Sequence, residues 1–294
     1  MTLLNMLCTV TWKVNPVAIN LGSLQIRWYG ILLAIGFLLA YYTLQAIFKT
    51  EKLSLQLLDK ISIWTIVWTF VGLRLGHFLF YDPQQFITNP LEIILPIQDG
   101  KFVGYQGLAS HGAVIAILGF LIYYCWKHKI NFLWLLDRLG IAIPIAAAFV
   151  RVGNLMNHEI VGSITNVSWA FNFTYGGLGV AGTLRHPAQL YEAAIYLLVF
   201  IGLAIYYFKF AKGKVAAGRT SGITLFVIFT ARFIIEFFKE VQVQSEVGRA
   251  LDNGQLLSIP LIVFGLGLLI YSFVKTSYPE CPYKAEKVEQ KKGK

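Results

Sequence analysis

Residues 27–48 read RWYGILLAIGFLLAYYTLQAIF, and after Arg27 the run carries no charge. About 20 mostly apolar residues in a helix cross the ~30 Å hydrocarbon core of a bilayer, so this stretch is long enough to span one. Outward from it, six more segments have the same character: roughly 57–81, 108–127, 135–157, 188–208, 222–239 and 256–274. Three of them hold arginine: Arg74 in the 57–81 segment, Arg138 near the start and Arg151 near the end of the 135–157 segment, and Arg232 in the 222–239 segment.

Composition agrees with the segments. Of the 294 residues, 56% are hydrophobic and only 14% are charged, whereas a soluble domain carries about 25% charged residues. That is too little charge for a water-facing surface. The expected fold class is an all-α integral membrane protein with about seven transmembrane helices and a small periplasmic cap. Residues 1–277 form its polytopic membrane domain, and 278–294 a charged, disordered cytoplasmic tail. Met1 to Val10 lacks a basic n-region and a small-residue cleavage site, so no cleavable signal peptide is expected.

The formal charge of +10 does not point to nucleic acid, because the basic residues cluster between the apolar runs. One set of segments holds Lys49, Lys52 and Lys60; Lys127, Lys129 and Arg138; Lys209, Lys212, Lys214 and Arg219; and six lysines beyond Lys275 inclusive. The alternate set holds only Lys13, Arg27, Lys101, Arg185, Lys239 and Arg249. The positive-inside rule then puts the N-terminus in the periplasm and the C-terminus in the cytoplasm. Two long segments, about 82–107 and 158–187, fall outside the membrane, the second rich in glycine. Cys8, Cys125 and Cys281 form no CxxC and no ligand spacing, so neither a disulfide framework nor a metal is expected.

Ionisable groups in lipid are costly, ~2.5–3.5 kcal/mol for a central Arg on insertion scales, and they need partners or a function. Arg74, His77 and Tyr81 fall on one helical face, as either a polar seam or a cavity wall. His111, between Ser110 and Gly112, reads either as a structural residue or as a proton-exchanging group, and Gly112 permits close backbone approach. In RVGNLMNHE at 151–159, Arg151, Asn154 and His158 share a helical face, and Arg151 offers a planar fork suited to phosphate. In RHPAQLYE at 185–192, Pro187 suits a first helical position, beside which Arg185 and His186 favour an anion. Gln189 and Glu192 face together there, and Arg232 and Glu236, four apart, can pair across a turn. Trp28 and Tyr29 read either as an aromatic belt or, for the Tyr29 hydroxyl, as a headgroup contact.

Taken in order, RWYG at 27–30, RLGHFLFYD at 74–82, SHG at 110–112, RVGNLMNHEIVG at 151–162, RHPAQLYE at 185–192, RFIIEFF at 232–238 and NGQLLSIP at 253–260 resemble the prolipoprotein diacylglyceryl transferase family. The chain departs from the family pattern at Ala113, Val150, His158, Ala188 and Lys239, where the family has Gly, Gly, Gly, Ser and Arg. The resemblance implies an inner-membrane enzyme that moves the diacylglyceryl group of phosphatidylglycerol to the lipobox cysteine of preprolipoprotein signal peptides, with no cofactor. It implies His111, Arg151 and Arg232 as catalytic residues. Tyr29, Asn154 and Gly162, with both arginines, would bind the lipid. Arg74, Asn157, Glu159, His186, Gln189, Glu192 and Glu236 would support them. The competing reading is a transporter or lipid flippase, whose polar groups should continue from the outer to the inner halves of the spans.

Overall fold

The computed structural model describes residues 9–22, 24–80, 83–84, 97–98, 101–102, 109–177, 179–240 and 251–285. Each of the seven apolar segments coincides with a helix: α1 (Trp28–Thr50), α2 (Leu55–Phe80), α3 (Ser110–Lys127), α4 (Phe132–Met156), α5 (Ala188–Ile205), α6 (Arg219–Glu236) and α7 (Asn253–Val274). α5 runs on as a π-helix over Tyr206–Ala211. Five of these, α5 with its extension included, are long and apolar enough to cross a membrane. The remaining two, α3 and α6, are 18 residues each. The chain divides into two compact units, Met1–Thr50 with Leu136–Pro279, and Glu51–Leu135 with Glu280–Lys294. Tyr81 lies outside the described residues, as does most of the 82–107 segment.

In the first unit, α4 and α6 are locked at one end by a buried carboxylate. Gly218, which precedes α6, has no side chain to cap the helix, so the orphan donors of its first turn need another acceptor. Asp137 of α4 provides it, accepting from Gly218 N at 2.8 Å, Ser221 N at 3.0 Å and Ser221 Oγ at 2.9 Å. One turn further on, Pro144 has no N–H to give the carbonyl of Gly140. The Thr224 hydroxyl of α6 donates to that carbonyl instead, at 2.7 Å. α6 and α7 then pack closely at Gly222 and Gly265, where an added Cβ would come within 3.0 Å of neighbouring backbone.

One end of this unit carries a small sheet, where the sequence reading expects a small cap. β1 (Val10–Trp12) pairs in parallel with β6 (Phe171–Phe173), which pairs antiparallel with β7 (Leu184–Arg185). A hairpin of β2 (Val17–Leu21) and β3 (Leu24–Arg27) leads straight into α1. Beneath the sheet, Leu155, Val161, Phe171 and Phe173 form a buried cluster against Trp12, Val180 and Leu190. The Trp12 indole N–H anchors it by donating to Leu155 O. His158 does not share the helical face of Arg151 and Asn154, as its spacing suggests. α4 ends at Met156, His158 has a positive φ of 55°, and its ring Nε2 donates to Val14 O at 2.7 Å.

The second unit is built on α2 and α3, which approach through glycine. A Cβ on Gly72 would meet Gly112 O at 2.5 Å, and one on Gly112 would meet Gly76 Cα at 2.5 Å. In a bilayer such close backbone contact is a main source of helix association. The tail, expected to be unstructured from Tyr278, keeps defined contacts as far as Ala285. Cys281 is buried, Ser54 N donates to Tyr283 O, and Ala285 N donates to Lys52 O. A two-stranded pair, β4 (Ile97–Gln98) and β5 (Lys101–Phe102), completes the described elements.

These glycines make a paired test. A side chain at Gly72 must displace backbone, whereas one at Gly119 meets nothing within 4 Å. Gly72→Leu should cost about 1–3 kcal/mol or more by overpacking, read as a lower melting temperature in detergent. Gly119→Leu should stay within about 0.5 kcal/mol of the parent.

Candidate functional site

The site of the first unit begins at the last turn of α4. Arg151 is largely buried, and its Nε lies 2.9 Å from Glu192 Oε2 of α5. Its Nη1 donates to Asn154 Oδ1 at 3.3 Å, one turn along the same helix. Asn154 passes the chain of bonds on, donating from Nδ2 to Glu159 Oε1 at 2.8 Å, and Asn157 reaches the same oxygen at 3.4 Å. Gln189 Nε2 donates to the Glu159 carbonyl at 2.6 Å, so the loop after α4 is fixed from α5 as well. The orientation of the Arg151 fork is therefore set by side chains on two helices.

Glu192 has a second cation. Lys239, just beyond α6, places Nζ 3.2 Å from Glu192 Oε1 and 2.9 Å from Glu236 Oε2. Arg232 and Glu236 were expected to pair across a turn; Glu236 instead turns to Lys239. Its carboxylate lies against Gly254 in the first turn of α7, where a Cβ would sit 2.7 Å from Glu236 Cδ. A helix N-terminus favours an anion at that place, and only glycine leaves room for one. The backbone of Lys239 is held too, because Gly162 and Lys239 form an antiparallel bridge.

Arg151 and Arg232 line one cavity of about 320 Å³. Most of its wall is apolar, from Val150, Ala147 and Ile143 of α4 and Phe229, Ile228 and Leu225 of α6. It runs down α4 to Leu136, about 22 Å of helix from Arg151 at 1.5 Å per residue. A slot with guanidinium groups at one end and hydrocarbon along its length suits an amphiphile with an anionic head. Among the described residues, no three His, Cys, Asp or Glu side chains converge as a metal ion would need.

The other candidates from the sequence take distinct places. Tyr29 packs its ring on Gly153, where a Cβ would stand 2.9 Å from Tyr29 Cδ2. Gly162 is a crossing point of chains, with its N–H on His186 O and its carbonyl accepting from Arg185 Nη1. Arg185 is 2% exposed and its guanidinium is used internally, by Thr183 Oγ1, Glu240 Oε2 and Gly179 O as well. It therefore braces the cap and offers no open fork to an anion, contrary to the reading of the RHP stretch. Pro187 stands at the N-cap of α5, one place before the expected position. His186 Nδ1 lies 3.0 Å from the Tyr191 hydroxyl, which itself accepts from Trp169 Nε1. Burial holds the His186 pKa below the ordinary value. Arg74 and His111 belong to the second unit. There the Arg74 guanidinium covers the Phe78 ring at 4.8 Å, and His111 is exposed in the first turn of α3.

Two residues of the site were missed in the sequence. Tyr196 is buried on the cavity wall, its hydroxyl 3.5 Å from Glu192 Oε1. Its signal is spacing, because Gln189, Glu192 and Tyr196 lie at i, i+3 and i+7 on one face of α5. Lys239 shows in the sequence only as a departure from the family pattern, three residues after Glu236, and it is brought inward by the bridge to Gly162.

Comparison with known proteins matches this arrangement. The family described as prolipoprotein diacylglyceryl transferase matches residues 16–271. The phosphatidylglycerol–prolipoprotein diacylglyceryl transferase of Bacteroides fragilis is 40% identical over 278 residues, covering 93% of this chain and 99% of its own length. The protein of the same name from Tolumonas auensis is 40% identical over 262 residues, 89% of this chain and 96% of its own. That from Campylobacter hominis is 35% identical over 280 residues, 93% of this chain and 96% of its own. A match over most of the chain, on top of a site that holds the family's polar stretches together, places this protein in the prolipoprotein diacylglyceryl transferase family.

Proposed function

We propose that the protein transfers the diacylglyceryl group of phosphatidylglycerol to the lipobox cysteine of preprolipoproteins, the first step of lipoprotein maturation. The observation that carries this reading is the shared cavity of Arg151 and Arg232, cationic at one end and apolar along its walls. The arginines would hold the phosphodiester by charge-assisted hydrogen bonds, with Tyr29, Asn154 and Gly162 shaping the headgroup site and the apolar slot taking an acyl chain. The thiolate sulfur attacks the glycerol carbon that bears the phosphate. A C–S bond forms, the C–O bond breaks with its electron pair passing to the phosphate oxygen, and glycerol 1-phosphate leaves. Fixed cations in a water-poor site stabilise the charge growing on that oxygen.

The thiol must lose its proton first, since a free cysteine has a pKa of about 8.5. His111 is the proposed base, and the proton ends on its ring. Glu192 holds Arg151 directly, with Glu159 acting through Asn154 and Glu236 through Lys239. Asn157 and Gln189 steady the 157–159 loop, His186 braces Gly162, and Arg74 supports the second unit. Within the membrane domain of residues 1–277, the clustering of basic residues supports a place in the bacterial inner membrane with the N-terminus periplasmic and the C-terminus cytoplasmic. Polar groups do recur at the far end of α4, but the Asp137 carboxylate there is taken up by the first turn of α6, which favours the transferase reading over a transporter.

Purified protein, phosphatidylglycerol vesicles and a lipobox peptide should give a thioether detectable by mass spectrometry. Arg151→Ala should lower kcat/KM about 10²–10³-fold, and unchanged turnover in a folded variant would sink the reading. His111→Gln should lower kcat about 10²–10⁴-fold while phosphatidylglycerol still binds. Turnover near that of the parent would remove His111 from the role of base.

A further inference from the structure

Four formal charges meet around Arg151 and Lys239, and a fifth, that of Arg232, stands on the same cavity wall. Glu192, 0% exposed, gives one oxygen to Arg151 and the other to Lys239, and Glu236 takes the same ammonium. These two cations and two carboxylates cancel. Arg232 shares the cavity wall with Arg151 and has no ion-pair partner among the described residues, so its charge is left over. Glu159 stands at the exposed edge, where solvent and salt screen it. Counted over the described residues, the cluster thus carries one net positive charge, equal and opposite to that of a phosphodiester.

Lys239 decides this balance. Removing its ammonium would leave Glu192 free to turn both oxygens on Arg151, and Glu236 with no cation at its present contact. Arg151 would then spend its donors on an internal carboxylate, and the cluster would fall to zero net charge. A compact ammonium suits the place, because three donors on one atom reach two carboxylates without the flat fork that a guanidinium must fit. With its side chain 3% exposed and both contacts internal, Lys239 is not placed to touch lipid itself.

We infer that Lys239 is a positioning residue that sets the charge of the site for a monoanionic phosphodiester headgroup, by holding Glu192 and Glu236 so that Arg151 and Arg232 stay available to the lipid phosphate. The inference rests on the phospholipid-transfer reading given above. A zwitterionic headgroup brings a cation of its own into a site that is net positive, so the same device favours an anionic phospholipid over a zwitterionic one.

The test uses the full-length protein in mixed micelles, with initial rates of peptide thioether formation measured against the mole fraction of phosphatidylglycerol. Lys239→Met should raise KM for the lipid about tenfold or more with a smaller change in kcat. Lys239→Arg, which keeps the charge, should stay within about threefold of the parent. The double variant Lys239→Met with Glu236→Gln removes one charge of each sign and restores the net charge, though not the hold on Glu192, so its KM should fall about threefold or more below that of Lys239→Met. A merely structural role predicts the opposite, a double variant at least as impaired as the single one, and that result overturns the inference, as does a parental KM in Lys239→Met. Should Lys239→Met fail to fold, the double variant decides alone, and a KM still raised tenfold in it overturns the inference. A parent protein that forms no thioether would instead defeat the reading of function.

Discussion

At the end of the first unit that carries the sheet, a carboxylate with no exposed surface, Glu192, is reached from both sides by cations, Arg151 from α4 and Lys239 from the end of α6. Bringing ions out of water is expensive, and such a cluster persists only when every member is paired and well placed. Its contribution is less to stability than to register, because a buried ion pair fixes which residues must face each other. Here it fixes the ends of α4, α5 and α6 against one another, and through Glu236 and Gly254 the start of α7 as well. The cavity below inherits its shape from that arrangement. Its two arginines stand on α4 and α6, and most of its apolar wall comes from the same two helices.

The helices themselves were plain in the sequence, since hydropathy over about 20 residues needs no knowledge of tertiary contacts. The α4 terminus was legible for the same reason. Arg151 and Asn154 are close in sequence, so their bond follows from helical spacing. What depended on distant chain was not legible. β1 pairs with a strand some 160 residues later, and nothing local in Val10–Trp12 announces it. His158 kept the spacing of a helical face but lies past the end of the helix, where a left-handed backbone turns its ring toward Val14.

Charge pairing shows the same division. Spacing alone allows Glu236 to meet Arg232 or Lys239, because i,i+3 and i,i+4 neighbours are about equally near. The choice of Lys239 is made by Glu192 on another helix and by the bridge to Gly162. Arg185 resembled an anion ligand for a similar reason. Beside a helix start its type suggests phosphate, yet the carbonyl of Gly162, 23 residues earlier, and the carboxylate of Glu240, 55 residues later, together with Gly179 O, use up its donors.

The trans-cap that Asp137 gives α6 has a bearing on how the chain is made. α6 is the least apolar of the seven helices and is only 18 residues long. Alone in a bilayer, its first-turn donors and its arginines would face hydrocarbon unsatisfied. The acceptor it needs lies 81 residues earlier, so the ribosome delivers Asp137 to the membrane well before Gly218 emerges. Synthesis in that order lets α6 partition into lipid against a docking surface already in place. A permuted chain that began at α6 would have to place its least apolar helix without that help.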